Sequence, residues 1–248
     1  MLIGIGVGEQ PEKIFSSIKN LNEKIEIALF CNEGAGVGAP DSCVVIESNH
    51  PEIELVNALM DESIDAAVRG TLPAGETLGA LKEASGVDRL ARLALLETPS
   101  GKKFFLAPVG VDEGWDLVEK IIFVDRAKML SEAFGLGERV AVLSGGRYGD
   151  IGRCPQVDRS LADGELVSRI TGAEHLEILI EDAIGKYGAV IAPDGISGNL
   201  IFRTLVLVGG GKGHGAVVLN TGRVFVDTSR ASPDYRNAIL LAAAFLND

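Results

Sequence analysis

Short apolar runs alternate along this chain with stretches whose apolar residues recur at helical spacing, and that alternation is its strongest structural signal. Leu2–Ile5, Glu26–Phe30, Val44–Glu47 and Ala66–Arg69 read as strands, interleaved with helical patterns at Pro11–Lys19, Pro51–Asp61 and Thr77–Ala84. Pro11, Pro51 and Pro233 each stand where a helix could open, a position at which a missing N–H costs nothing. The rhythm breaks after Gly86, where Arg92–Thr98 and Lys103–Pro108 flank the turn-forming Pro99-Ser100-Gly101-Lys102 and read as a β-hairpin. A long helix over 113–134 follows, then a strand at Val140–Leu143, a polar loop at 144–157, and helices near 158–170 and 174–186. The strand–helix order resumes with Ala189–Ala192 and a helix over 199–208. Strands at Ala216–Leu219 and Val224–Val226 and a closing amphipathic helix at Pro233–Leu246 complete the reading. Such alternation predicts an α/β fold with mostly parallel sheets covered by helices, and ligands at the strand carboxyl ends.

The segment Pro193-Asp194-Gly195-Ile196-Ser197-Gly198-Asn199 follows the apolar strand Ala189–Ala192. A turn there should aim free amides at an anion, with Gly195 and Gly198 letting it approach the backbone. Asp194 and Asn199 can equally close an Asx turn and cap the helix behind it. Near the N-terminus, Gly4-x-Gly6-x-Gly8 between a strand and a helix invites a dinucleotide reading. The spacing is wrong for G-x-G-x-x-G, because position 9 is Glu9, whose carboxylate would repel a pyrophosphate. Glu47, at the end of a later strand, is an ordinary charged strand end.

Composition adds boundaries. The 248 residues, 46% of them hydrophobic, suffice for one large or two small domains with a sizeable core. The opening segment lacks the basic region of a signal peptide and no apolar run approaches a membrane span, so a cytoplasmic protein is expected. A net charge of -12 argues against nucleic acid and anionic membranes as partners. A small anionic metabolite stays possible where local cations prevail, and Arg69, Arg147, Arg153, Lys212 and Arg230 lie near glycine-rich turns. Each of these, taken singly, reads as a solvated surface charge. Cys31, Cys43 and Cys154 are odd in number and widely spaced, which suggests reduced thiols, and His50, His175 and His214 have no metal-ligand spacing, so no metal is expected.

Several motifs occur in a fixed order: Asp65-Ala66-Ala67-Val68-Arg69-Gly70, Glu76-Thr77-Leu78-Gly79-Ala80, Gly86-Val87-Asp88-Arg89, the stretch from Phe134 to Ser144, the Asp194–Asn199 turn, a glycine run from 209 to 215, and Ser229-Arg230. In that order they resemble the phosphotransacetylase and phosphotransbutyrylase superfamily, with PlsX-type phosphate acyltransferases similar too. Within it, the short length and this combination most resemble the MtxX group, methyltransferase subunit X, a methanogenesis marker of methanogenic archaea. The resemblance implies the phosphate acyltransferase architecture, like that of isocitrate and isopropylmalate dehydrogenases. Two α/β subdomains would flank a cleft, residues 1–98 with 228–248 forming the first and 99–227 the second.

The resemblance also implies a substrate site. Ser229 and Arg230 would contact phosphate or acyl phosphate, a guanidinium forking two N–H bonds onto a phosphoryl group beside a hydroxyl donor. Asp194 and Asn199 would shape the turn or hold ligand oxygens, and Ser144 with Arg147 could form a second wall. The family's thiol-activating carboxylate has its nearest counterpart in Asp234, at a shorter spacing, and His214 in Gly213-His214-Gly215 is a further acid–base candidate beside the plain turn histidine. No cofactor is assured, although coenzyme A or an acyl phosphate could be substrate. Two classes of function stay open: a transferase of acyl, phosphoryl or methyl groups, and a non-catalytic accessory protein that binds a metabolite, pairs as a homodimer or joins other methyl-transfer subunits. Methyl transfer itself has no support in these residues, which show neither an S-adenosylmethionine loop nor a corrinoid motif.

Overall fold

A computed structural model describes residues 1–19, 21, 24–230 and 232–246. Two compact units emerge, residues 1–90 with 214–248, and residues 91–213. Both chain crossings fall earlier than the 98/99 and 227/228 divisions expected from sequence. The reason lies in strand pairing. The strand that opens at Arg92 is bonded to the next strand of its own hairpin, whereas Val224–Asp227 runs parallel to Ala66–Val68 and stays with the first unit.

Numbered in chain order, the first unit contains β1 (Leu2–Val7), α1 (Pro11–Ile18), β2 (Glu26–Cys31), β3 (Val44–Glu47), α2 (Pro51–Met60), β4 (Ala66–Val68) and α3 (Ala74–Ser85). The second contributes β5 (Arg92–Glu97), β6 (Lys103–Ala107), α4 (Leu117–Ala133), β7 (Val140–Val142), α5 (Pro155–Thr171), β8 (Glu174–His175), α6 (Ile180–Ala183), β9 (Ala189–Ile191) and α7 (Gly195–Arg203). β10 (Lys212–Val218), β11 (Val224–Asp227) and α8 (Arg236–Phe245) close the chain. Strand order in the first unit is β3-β2-β1-β4-β11-β10, parallel except that β10 runs antiparallel to β11. In the second it is β5-β6-β9-β7-β8, parallel after the antiparallel hairpin.

The apolar runs become strands because both sheet faces are covered, so continuous rather than alternating hydrophobic sequence is buried. Ile3, Ile5 and Val7 of β1 are fully buried, as are Ala189, Val190 and Ile191 of β9. Phe30, Leu55, Leu59, Ile64, Leu72, Leu81 and Phe225 form the centre of the first unit's core. In the second, Phe105 meets Phe134 edge to face at 5.4 Å. Pro11, Pro51 and Pro155 all open helices. Pro233 does not, since α8 starts only at Arg236.

Where sequence suggested a helix over 174–186, the chain instead adds the short strand β8 and then a single turn, α6. Glu174 and His175 pair in register with Ala141 and Val142. Glu174 is held there by Arg139 Nη2 at 2.7 Å and by the Tyr187 hydroxyl at 2.6 Å, which outweighs its helical propensity. The helix expected from Asn199 begins earlier, at Gly195, and passes after Arg203 into one turn of π-helix, Thr204–Val208.

Gly4-x-Gly6-x-Gly8 has a packing role. A Cβ on Gly6 would stand 2.2 Å from the Leu72 side chain and 2.5 Å from Arg69 O, and one on Gly8 only 2.8 Å from Thr71 O. The glycines let β1 lie against the turn after β4, where Thr71 N donates to Gly6 O at 3.1 Å and Gly8 N to Thr71 Oγ1 at 2.8 Å. Gly70 completes the joint with φ +61° and a Cβ position 2.0 Å from Gly6 O. Gly70→Ala should therefore destabilise the protein by about 2–4 kcal/mol. Gly79→Ala, in α3 with nothing within 4 Å of its Cβ position, should instead stabilise it by about 0.5–1 kcal/mol. Urea titration of both variants checks the contrast, and equal effects would overturn the packing account.

Candidate functional site

In the first unit, loops after β1, β2, β4 and β11 border a pocket of about 340 Å³ lined by Gly8, Glu9, Asn32, Glu52, Thr71, Leu72, Pro73 and Arg230. Its frame is a buried ion pair. Arg69, read from sequence as a solvated charge, is only 4% exposed. Its Nε donates to Asp227 Oδ1 at 2.5 Å and its Nη1 to Leu72 O at 2.6 Å. Asp227 Oδ1 also accepts the Thr228 amide at 2.8 Å, and the Thr228 hydroxyl donates to Gly70 O at 2.8 Å. The ends of β4 and β11 are thereby fastened together immediately before Ser229 and Arg230.

Ser229 is half-buried, and its carbonyl accepts from Ser232 N at 2.9 Å and from the Tyr235 hydroxyl at 3.2 Å. Tyr235 is buried, and its amide donates to Ser17 Oγ at 2.8 Å. Burial raises the Tyr235 phenol above its ordinary value, against the fields of Arg69 and Arg230. Arg230 itself is exposed, lines the pocket, and makes no hydrogen bond or ion pair among the described residues. Asp234 is exposed and does not line that pocket; its Oδ1 accepts the Arg236 amide at the start of α8, at 3.1 Å. His214 lies inside β10 with 9% exposure rather than in the turn expected for it.

In the second unit, the amides expected to face a ligand after β9 are used internally. Asp194 caps α7, accepting from Ser197 N at 2.8 Å and from Ser197 Oγ at 3.1 Å. Gly195 N donates to Glu113 O and Gly198 N to Asp194 O, both at 3.0 Å. The room that the two glycines leave is filled by backbone. A Cβ at Gly195 would stand 1.6 Å from Gly110 O, and one at Gly198 1.8 Å from Pro108 O. Asn199 Nδ2 donates to Val109 O at 2.9 Å. This motif thus docks α7 onto loop 108–113. The loop is in turn organised by Glu113, which is 1% exposed and accepts from Arg92 Nε at 2.6 Å and Gly110 N at 3.1 Å. Burial pushes the Glu113 carboxyl up, opposed by the Arg92 charge and by these donors.

Ser144, two residues after β7, is fully buried. Its hydroxyl donates to Gly146 O at 3.2 Å and hydrogen-bonds His175 Nε2 at 3.0 Å. His175 Nδ1 lies 3.1 Å from the Tyr148 hydroxyl and 3.3 Å from Glu165 Oε2, and the Tyr148 hydroxyl donates to Glu165 at 2.9 Å. The order serine, imidazole, carboxylate is that of a nucleophilic relay. With zero exposure the Ser144 oxygen is closed to any substrate, so the network braces the loop that presents Arg147, which is exposed. Gly164 of α5 admits the imidazole, since a Cβ there would stand 2.7 Å from His175 Nε2.

The candidates thus divide between the units. Ser229, Arg230, Asp234 and His214 belong to the first, and Asp194, Asn199, Ser144 and Arg147 to the second. Sequence reasoning missed Arg69, Glu113, His175 and Glu165 as organisers of these loops. For the last two, the helical reading of 174–186 concealed the signal. Arg153 pairs with Asp150 at 3.1 Å and Lys212 with Glu97 at 3.0 Å, both as surface cations. The three cysteines are free thiols, with Cys31 alone fully buried. Among the described residues no group of three or more His, Cys, Asp or Glu could hold a metal ion, and no helix is long and apolar enough to cross a membrane.

This architecture is that of the phosphotransacylases. A branched-chain phosphotransacylase from Enterococcus faecalis superposes over 99% of both chains with a TM-score of 0.78, at 16% identity, a likeness of fold. No protein-family model matches the chain. Among curated proteins, the "Putative methyltransferase mtx subunit X" of Methanosarcina barkeri is 50% identical over 205 residues, 81% of this chain and 76% of its own length. An "Uncharacterized methyltransferase" of Methanocaldococcus jannaschii is 35% identical over 96% of each chain. The chain belongs to the mtx subunit X family.

The network around β8 carries a pH dependence. Hydrogen bonds from Tyr148 and His175 hold the Glu165 carboxyl below its ordinary value, and those from Tyr187 and Arg139 do the same for Glu174. A carboxylate depressed in the folded state contributes stability above its unfolded value, about 4.3, and loses it as pH falls through the folded value. Both groups are largely exposed, so the contribution is modest. A Glu165→Gln, Glu174→Gln variant should melt lower than wild type at pH 7 and lose less Tm between pH 5 and 3. Parallel Tm curves for the two proteins would refute the assignment.

Proposed function

We propose that this chain is the metabolite-binding subunit of a methyl-transfer system, holding a small phosphate- or carboxylate-bearing ligand on Arg230. One observation carries the reading: the Arg230 guanidinium lines a pocket at the carboxyl ends of parallel strands, unpaired among the described residues. The subunit-type name of the Methanosarcina relatives supports the association with other methyl-transfer components. On this reading the protein works in the cytoplasm, with those components or as a homodimer. Ser229, held beside Arg230 by the Tyr235 and Ser232 contacts to its carbonyl, is its companion at the ligand. Asp194, Asn199, Ser144 and Arg147 then act in shaping the second unit's loops, with Arg147 as its exposed cation.

The phosphotransacylase-like fold favours a second reading, acyl transfer between coenzyme A and an acyl phosphate. That chemistry requires a base for the thiol, and Asp234 or His214 would have to supply it. Asp234 at the start of α8 and His214 within β10 work against this, which places the binding reading ahead.

Isothermal titration of phosphate, acetyl phosphate and coenzyme A tests both, with acyl transfer assayed on the same samples. Wild type is expected to bind phosphate or acetyl phosphate, and Arg230→Ala to weaken that affinity by about 10–100-fold, the worth of a charge-assisted hydrogen bond. Turnover to acyl-coenzyme A would move the conclusion to the second reading. Absence of binding by wild type would overturn the first.

A further inference from the structure

Resting on the reading of Arg230 as the anion contact, we infer that the ligand of the first unit's pocket is zwitterionic, an anionic group joined to a primary or secondary amine, rather than a plain anion. The charged lining is one guanidinium, Arg230, against two carboxylates, Glu9 and Glu52. The Glu52 side chain is 17% exposed in the first turn of α2, with His50 Nδ1 3.8 Å from its Oε1. Glu9 stands two residues after β1, beyond Gly8, whose amide is tied to Thr71 Oγ1 at 2.8 Å. A pocket of 340 Å³ is about 9 Å across if taken as a sphere, about one Debye length at physiological salt, so salt screens neither carboxylate fully from a ligand inside it. A phosphate or carboxylate on Arg230 without its own positive charge would be opposed by both.

A cationic group on the same ligand removes that opposition and gives each carboxylate, together with the Asn32 side chain, a donor to accept from. Among the described residues no aromatic ring lines the pocket, so they form no cage for a quaternary ammonium, and an amine with N–H donors fits the acceptors better. The volume lies at the small end of ligand pockets, which suits an aminoalkyl phosphate or an amino acid.

The test compares ethyl phosphate with phosphoethanolamine, which differ by the amine, in calorimetric titration of the full chain. Wild type should bind phosphoethanolamine at least tenfold more tightly, and Arg230→Ala should weaken both ligands. In Glu9→Gln, Glu52→Gln the preference should vanish while ethyl phosphate binds as well or better. Should the double variant fail to fold, Glu9→Gln alone, at an exposed position, should reduce the preference. Equal or tighter binding of ethyl phosphate by wild type, or a preference that survives the glutamine substitutions, would overturn the zwitterion inference and leave Arg230 as an anion contact. If neither compound binds wild type, the Arg230 reading falls and the inference with it.

Discussion

The buried pair of Arg69 and Asp227 is the constraint on which the pocket-forming edge of the first unit depends. A guanidinium at 4% exposure is tolerable only because its donors are matched by the Asp227 carboxylate and Leu72 O. Those acceptors lie on two segments far apart in sequence, so satisfying one buried charge fastens the end of β4 to the end of β11. The Asp227 carboxylate, in accepting the Thr228 amide as well, sets the direction in which the chain leaves β11. Arg230 reaches the pocket as a consequence of that exit. Loss of either partner would leave an uncompensated buried charge, a defect worth about 3–5 kcal/mol.

The second unit repeats the device with different residues. Arg92 at the start of β5, half-buried, pairs with the buried Glu113 after β6, and the carboxylate gathers the amide of Gly110. Loop 108–113 is rigid enough for α7 to dock on it backbone to backbone, through Gly195 and Gly198. Both units therefore shape the loops at their strand ends with an arginine–carboxylate pair that ties a strand end to another segment. Arg147 and Arg230, by contrast, are exposed.

Much of the fold was legible, because burial on both faces writes parallel strands as unbroken apolar runs. The hairpin of β5 and β6 was legible from its turn residues. What misled was chemistry with two meanings. Glycine near a strand end serves a phosphate or a neighbouring carbonyl equally well, and only the positions of Gly110 O and Pro108 O decide for the second. Arginine near such a turn can serve a ligand or a buried carboxylate; for Arg69 the deciding partner, Asp227, lies 158 positions away in sequence. Residues 174–186 looked helical because the pairing of Glu174 with Arg139 and Tyr187 is likewise non-local. Of the candidate site, Arg230 was legible through the family pattern of Ser-Arg, whereas Glu9 and Glu52, which give the pocket its balance of charge, carried no motif.

That balance separates what the fold transmits from what the residues add. Parallel strands ending beside helix starts offer any α/β protein an edge suited to anions, through backbone amides and aligned dipoles. In this chain acidic residues already occupy those helix starts: Glu12 in α1, Glu52 and Glu54 in α2, Glu76 in α3. They stabilise the helices by answering the dipoles, and in doing so they oppose an anion at the same edge. On the proposed reading, anion affinity would then rest on a single side chain, Arg230, and on what else a ligand carries to its acidic neighbours. On the proposed reading, a pocket that sets one guanidinium against two carboxylates, in a chain with a net charge of -12, would favour among anions those that carry compensating charge.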